Sequence, residues 1–187
     1  MNIDKIRVGV IGVGIQGERH VKTYLENPLV EEVVVADIDN AKLKRVTKLY
    51  NVKRTYTDYV KMLDEEDLDL VSIATPDFAH TLPAIEALKR GINVVVEKPL
   101  ATTVSDAKAI VNVAEKRKVI LFINFFNRWN PPFAITKRRL EMGELGDIAY
   151  AYIRLSDTLY VPTKMLSWAS KTNVVYFLMS HTADLAR

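Results

Sequence analysis

The first 125 residues of this chain alternate short apolar runs with helix-length segments, and that alternation constrains the fold more than any other feature. The runs Ile6 to Ile11, Glu32 to Ala36, Leu70 to Ala74, Asn93 to Val96 and Val119 to Phe125, with a short one at Arg54 to Tyr56, are rich in Val and Ile and show little polar alternation. Strands of that composition are covered on both faces. Between them Gly17 to Glu26, Ala41 to Tyr50, Thr57 to Leu63, Ala79 to Arg90 and Ser105 to Arg117 are expected to be helices, with Ser105 capping the last. Lys89 to Gly91 reads as a basic last turn with a glycine stop. Strands alternating with helices require right-handed crossovers, so the fold class is α/β, a doubly wound parallel sheet.

The pattern changes after Phe125. "NRWNPP" breaks the chain, Phe133 to Met142 reads as a helix, and "IAYAYIRL" from Ile148 to Leu155 alternates as an antiparallel strand with one exposed face would. Val174 to Arg187 reads as a helix with a mixed apolar face. We therefore expect one domain over residues 1–126 and the N-terminal part of a second domain over 127–187. One strand and one helix do not bury a core of their own, so the second domain is expected to be incomplete.

Composition narrows the function. With 187 residues, 49% hydrophobic and 26% charged, the chain is globular in character. A net charge of +3, with basic residues dispersed among acidic ones, gives no footprint for nucleic acid. Cysteine is absent, so the default expectation is a reducing, cytoplasmic home. The apolar run Val8 to Val13 is too short for a signal core, and no stretch approaches the roughly 18 residues of a membrane span.

"VGVIGVGIQGERH" sets Gly12, Gly14 and Gly17 in GxGxxG spacing between the first strand and the first helix. Gly12 permits the tight turn, Gly14 lets backbone approach a pyrophosphate, and Gly17 lets helix and strand pack closely. The helix N-terminus, with Ile15 and Gln16, offers N–H groups to phosphate. Asp37, followed by Ile38, ends the second strand twenty residues beyond Gly17. A carboxylate there accepts from ribose hydroxyls and repels a 2′-phosphate, favouring NAD, although Lys42, Lys44 and Arg45 downstream leave NADP open. The plain alternative is a structural turn and a solvated aspartate.

In an open parallel sheet the ligand lies beyond the carboxyl ends of the strands. "ATPDFAH", carrying Thr75, Pro76 and His80, and "VVVEKPLATT", carrying Glu97 and Lys98, end two such strands at the edge where the glycine turn lies. Charged groups there are solvated, paired or aimed at a ligand.

Taken in order, "GVGIQGERH", "ATPDFAH", "EKPLATT" and "FFNRWNP" resemble the glucose–fructose oxidoreductase, inositol dehydrogenase and MocA superfamily of NAD(P)-dependent oxidoreductases, over nearly the whole chain. The resemblance implies a Rossmann domain followed by an α/β domain on a mostly antiparallel sheet that binds substrate and makes homo-oligomers. It implies a sugar, cyclitol or related polyol as substrate, Lys98 near nicotinamide and substrate hydroxyl, Glu97 holding the loop or orienting the lysine, and a cis peptide at Pro99. His80 would start a helix beside the cofactor loop, with a structural role also open.

"MSHTADLAR" resembles the family segment whose histidine takes the hydroxyl proton, which makes His181 the candidate base and Asp184 a supporting acid. Many members carry an aspartate four residues before that histidine, and here the position is Phe177. Lys171 and Tyr176 are polar candidates nearby, and Phe125, Phe126, Trp129 and Phe133 either wall a sugar pocket or pack the junction. The departure at Phe177 keeps a second class of function open, a non-catalytic NAD(H)-binding regulator, beside an inactive fragment of the enzyme.

Overall fold

The computed structural model describes residues 5–187 and divides into two compact units, the first running to Ile123 and the second from Asn124 to Arg187. The first unit contains β1 (Ile6–Ile11), α1 (Ile15–Leu25), β2 (Val30–Ala36), α2 (Asn40–Tyr50), β3 (Arg54–Tyr56), α3 (Tyr59–Glu65) and β4 (Leu70–Ile73). It continues with α4 (Thr81–Lys89), β5 (Asn93–Glu97), α5 (Val104–Arg117) and the start of β6 (Leu121–Asn124). The strand order is β3-β2-β1-β4-β5-β6, and the ladders β1·β2, β1·β4, β2·β3 and β4·β5 are all parallel. The order reverses beside β1, where the glycine turn begins.

Burial explains why the strands lack polar alternation. On one face Val10, Val33 and Val35 pack with Val21 of α1 and Leu43 and Val46 of α2. On the other, Ile11, Val34, Val71, Ile73, Val94 and Val96 pack with Ala84, Ala87 and Leu88 of α4 and Ile110 and Ala114 of α5. Successive strand residues thus enter opposite cores, so both positions of the two-residue period must be apolar. Gly91, at φ +81, follows the last turn of α4, as the expected glycine stop requires.

One cap differs from expectation. Thr103 caps α5, its Oγ1 accepting from the Asp106 N–H at 3.1 Å, and Ser105 lies inside the first turn. The extended backbone of Thr103, φ −128 and ψ 151, meets the geometry of an N-cap, which the residue type alone does not distinguish between two hydroxyls two positions apart.

The amino ends of the strands are joined by a charge cluster. Glu66, its side chain 1% exposed, receives Arg7 at 2.7 Å, Arg54 at 2.9 Å and the Tyr56 hydroxyl at 2.6 Å. Burial pushes the Glu66 carboxyl up, but Tyr56, Arg54 and Arg7 outweigh it and hold it below the usual carboxylate range, while Tyr56 is pushed up to about 12. A depressed folded-state value gives stability that is present above the unfolded value and lost as pH falls through the folded one. Glu66→Gln is expected to lower the unfolding free energy by about 2–4 kcal/mol at neutral pH. In urea titrations the gap from wild type should close in acid.

In the second unit the chain forms a short 3-10 segment (Phe126–Trp129), α6 (Pro131–Glu141), single helical turns at Val161–Met165, Ala169–Lys171 and Val175–Met179, and α7 (Ser180–Leu185). The expected helix from Val174 is present as Val175–Met179 running into α7. The expected strand from Ile148 to Leu155 is not: residues 148–158 carry neither helix nor strand, and Tyr150 and Tyr152 are 81% and 73% exposed. No antiparallel ladder forms among the described residues, and without a partner to take its N–H and C=O groups an alternating run does not become a strand.

Candidate active site

The glycine turn is built by steric necessity. Gly12 has φ +86, and a Cβ there would lie 2.9 Å from the backbone of Ala74 and Thr75. A Cβ on Gly17 would lie 1.8 Å from the Gly12 carbonyl oxygen, so α1 crosses β1 at a distance only glycine allows. Around Gly14, by contrast, an added Cβ meets nothing within 4 Å. Gly14 caps α1 without a side-chain hydrogen bond, and the first intrahelical bond runs from the Glu18 N–H to the Gly14 carbonyl. The first-turn N–H groups at Ile15, Gln16 and Gly17 precede any intrahelical partner.

Asp37 braces this turn as well as ending β2. Its Oδ2 accepts from the Val13 N–H at 2.8 Å, its Oδ1 from the Asp39 N–H at 2.9 Å, and Lys42 Nζ lies 3.9 Å from Oδ2. Each carboxylate oxygen retains acceptor capacity for a hydroxyl. Ile38, 91% exposed, presents an apolar side chain next to it. Thr75, at the end of β4, has a buried Oγ1 without a hydrogen-bond partner. Backbone donors at a helix N-terminus, open space at Gly14, a carboxylate and an unsatisfied hydroxyl along one sheet edge fit a dinucleotide.

Lys98 follows β5 on this edge, and the Lys98–Pro99 peptide is cis. Burial lowers its ammonium pKa from the ordinary lysine value, while the charges of Glu97 and Asp77 oppose that. Glu97 itself turns inward. It is 6% exposed, its Oε1 lies 2.9 Å from His20 Nε2 and its Oε2 accepts from the Lys98 N–H at 3.3 Å. His80 is 1% exposed and bridges two backbone carbonyls, Pro99 O at 2.7 Å from Nδ1 and Thr75 O at 3.0 Å from Nε2. The ring thus lies between the loops after β4 and β5, and in its neutral form donates to one of the two carbonyls. Burial pushes the His80 pKa down against those two carbonyls and the charges of Asp77 and Glu97.

His20 and Ser72 were not among the residues expected from sequence. The signals were a histidine one turn beyond Gly17 and a serine, 0% exposed, within the apolar run of β4. His20 Nδ1 lies 2.6 Å from Ser72 Oγ.

The second unit holds His181, 6% exposed, at the start of α7. Phe126 and Phe125 meet its ring edge-on at 5.0 and 6.5 Å between centroids. Asp184 is held by Arg128, whose Nε lies 2.8 Å from Oδ2 and whose Nη2 pairs with Oδ1, and that guanidinium sits 5.4 Å over the Phe125 ring. Phe177 packs edge-on against Trp168 at 6.2 Å, in an apolar contact that its aspartate counterpart would not make. Phe125 and Phe126 thus pack on His181, while Trp129 is 71% exposed.

Residues 6–125 match the model of the oxidoreductase family with an NAD-binding Rossmann fold. The chain is 32% identical over 144 residues to the rhizopine catabolism protein MocA of Rhizobium meliloti, covering 77% of this chain and 45% of that protein. It is 26% identical over 199 residues to levoglucosan dehydrogenase of Pseudarthrobacter phenanthrenivorans, covering 99% of this chain and 51% of the other. Among solved structures, the WlbA dehydrogenase of Bordetella pertussis in complex with NADH and UDP-GlcNAcA superposes with a TM-score of 0.73 at 30% identity, over 79% of this chain and 43% of that one. The chain spans about half or less of the length of these relatives. A parallel sheet ordered 3-2-1-4-5-6, the glycine turn at its reversal and the match over residues 6–125 place the chain in the glucose–fructose oxidoreductase, inositol dehydrogenase and MocA family of NAD-binding oxidoreductases.

Proposed function

We propose that this chain serves hydride exchange between nicotinamide and a hydroxyl or keto carbon of a sugar, cyclitol or related polyol. The observation that carries the reading is Lys98, a partly desolvated ammonium at the carboxyl end of β5, on the sheet edge that also presents the glycine turn. The Gly12–Gly17 turn meets the diphosphate with backbone N–H groups, and Asp37 accepts from the ribose hydroxyls. Thr75, Pro76 and Ile38 border the cofactor, and Glu97 and His80 act behind Lys98. When bound, the nicotinamide ring supplies the redox chemistry. Lys98 would donate a hydrogen bond to the substrate oxygen, and His181, in the second unit, is the residue assigned to exchange of the hydroxyl proton. A cytoplasmic setting and assembly into homo-oligomers belong to the same reading.

Gly14→Ala separates binding from folding. The added methyl meets no protein atom, so thermal unfolding should be unchanged, while NADH affinity falls about tenfold or more because the methyl enters the space for the pyrophosphate. The activity itself is tested by incubating the chain with NAD and a panel of inositols, aldoses and anhydrosugars and following NADH formation. Steady turnover on at least one polyol supports the dehydrogenase reading. Phe177, an apolar ring packed on Trp168 at the position where the family resemblance implies an acid, favours one rival, an NAD(H)-binding regulator. NADH binding without turnover on any member of the panel favours that rival.

A further inference from the structure

We infer that His20 is a positioning residue for Lys98, acting through Glu97, and that it links the lysine to the helix whose N-terminus receives the dinucleotide. The inference rests on the reading of Lys98 given above. It concerns a histidine one helical turn beyond Gly17, its side chain 12% exposed, which spans from α1 to two strands of the sheet. Nε2 lies 2.9 Å from Glu97 Oε1 on β5 and Nδ1 2.6 Å from Ser72 Oγ on β4.

Donor and acceptor roles give this chain of contacts a direction. An ionised carboxylate only accepts, so Nε2 carries the proton that reaches Glu97. In the neutral ring Nδ1 then accepts from the Ser72 hydroxyl. The Tyr24 hydroxyl, from the next turn of α1, reaches Ser72, and the Tyr24 ring meets the imidazole edge-on at 6.3 Å. The contacts run from Tyr24 through Ser72 and His20 to Glu97, and the second Glu97 oxygen accepts the Lys98 backbone N–H. Such a network is cooperative, and it fixes the carboxylate that shares the strand end with the ammonium.

The charges around Lys98 make this arrangement consequential. Burial lowers its pKa, and Glu97 and Asp77 raise it. Beyond these, His80 lies behind the loop between the Pro99 and Thr75 carbonyls, and Tyr24 feels the charge of Glu97. With His20 donating to it, the Glu97 charge is shared with the imidazole. Without that donor the Glu97 charge bears more strongly on Lys98, whose protonated form it already favours, and the lysine would hold its proton more tightly. The position of α1 would then reach Lys98 through one hydrogen bond.

The test needs no cofactor. Acylation of Lys98 by trace acetic anhydride, read by peptide mass spectrometry across pH, reports the fraction of free amine in the chain as it stands. In His20→Leu the midpoint should move up, and the Lys98 acylation rate at a fixed, mildly alkaline pH should fall about threefold or more. His20→Gln, whose amide can still donate to Glu97, should keep the wild-type profile. In a Glu97→Gln background His20→Leu should have no further effect. An unchanged Lys98 profile in a folded His20→Leu protein overturns the inference, as does an equal shift in His20→Gln. Should His20→Leu not fold, Ser72→Ala removes the hydroxyl that fixes Nδ1, and the same upward movement is expected, with an unchanged profile again contradicting the inference. A parallel NADH titration of the wild type separates the two readings, since absent NADH binding would sink the cofactor assignment and leave the Lys98 comparison standing.

Discussion

Gly17→Ala is expected to weaken both dinucleotide binding and the fold. The new Cβ would stand 1.8 Å from the Gly12 carbonyl oxygen and 2.8 Å from its carbon. Both atoms are backbone, so no rotamer change relieves the clash. The turn is closely packed at Gly12 as well, where at φ +86 an added Cβ would lie 2.9 Å from the backbone of Ala74 and Thr75. Helix α1 must therefore shift away from β1, which carries its first-turn N–H groups out of register with any phosphate and disturbs the packing of Val21 on Val10. Overpacking of this kind costs about 1–3 kcal/mol, and a clash with fixed backbone belongs at the upper end. NADH affinity should fall about a hundredfold or more, roughly 2.7 kcal/mol. Thermal unfolding and an NADH titration on the same sample check both parts. A variant that keeps wild-type stability and affinity would mean that the turn relaxes in a way this packing does not allow.

Lys98→Met should cut polyol-dependent turnover by about 10²-fold or more while changing NADH affinity far less. Methionine keeps much of the aliphatic volume and removes the charge and the exchangeable protons. Burial holds the lysine below its ordinary pKa against Glu97 and Asp77, so the ammonium is lost at lower pH than in an exposed lysine. A rate that needs the ammonium should therefore decline along an alkaline limb lying below the ordinary lysine range, and that limb should be absent from the residual rate of Lys98→Met. Lys98→Arg retains a charge but not a proton that titrates in this range, and is not expected to restore the rate. Unchanged turnover in Lys98→Met would remove the lysine from the chemistry.

Much of the first unit was legible because its signals are local. Val33, Val34 and Val35 in succession announce a strand buried on both faces, and Gly12, Gly14 and Gly17 announce a turn whose dimensions the backbone confirms. Features resting on distant partners were not legible. Glu97 read as a charge at a strand end, but its partner His20 lies 77 residues away, and nothing local in "VVVEKPLATT" says which side of the strand the carboxylate takes. Asp37 read as a ribose acceptor, and its hold on the Val13 N–H appears only when β1 and β2 lie side by side. The alternation from Ile148 to Leu155 is a strand pattern without a ladder, since hydrogen-bonding partners are a property of the whole sheet and not of the run.

Calorimetric titration of the purified chain with NADH, and separately with NADPH, tests the dinucleotide site most directly. Open backbone at Gly14 and the carboxylate of Asp37 predict micromolar binding of NADH and clearly weaker binding of NADPH, whose 2′-phosphate would meet that carboxylate. Absence of binding by either nucleotide, or NADPH binding as tightly as NADH, would contradict the assignment of the glycine turn and Asp37 as a working NAD site.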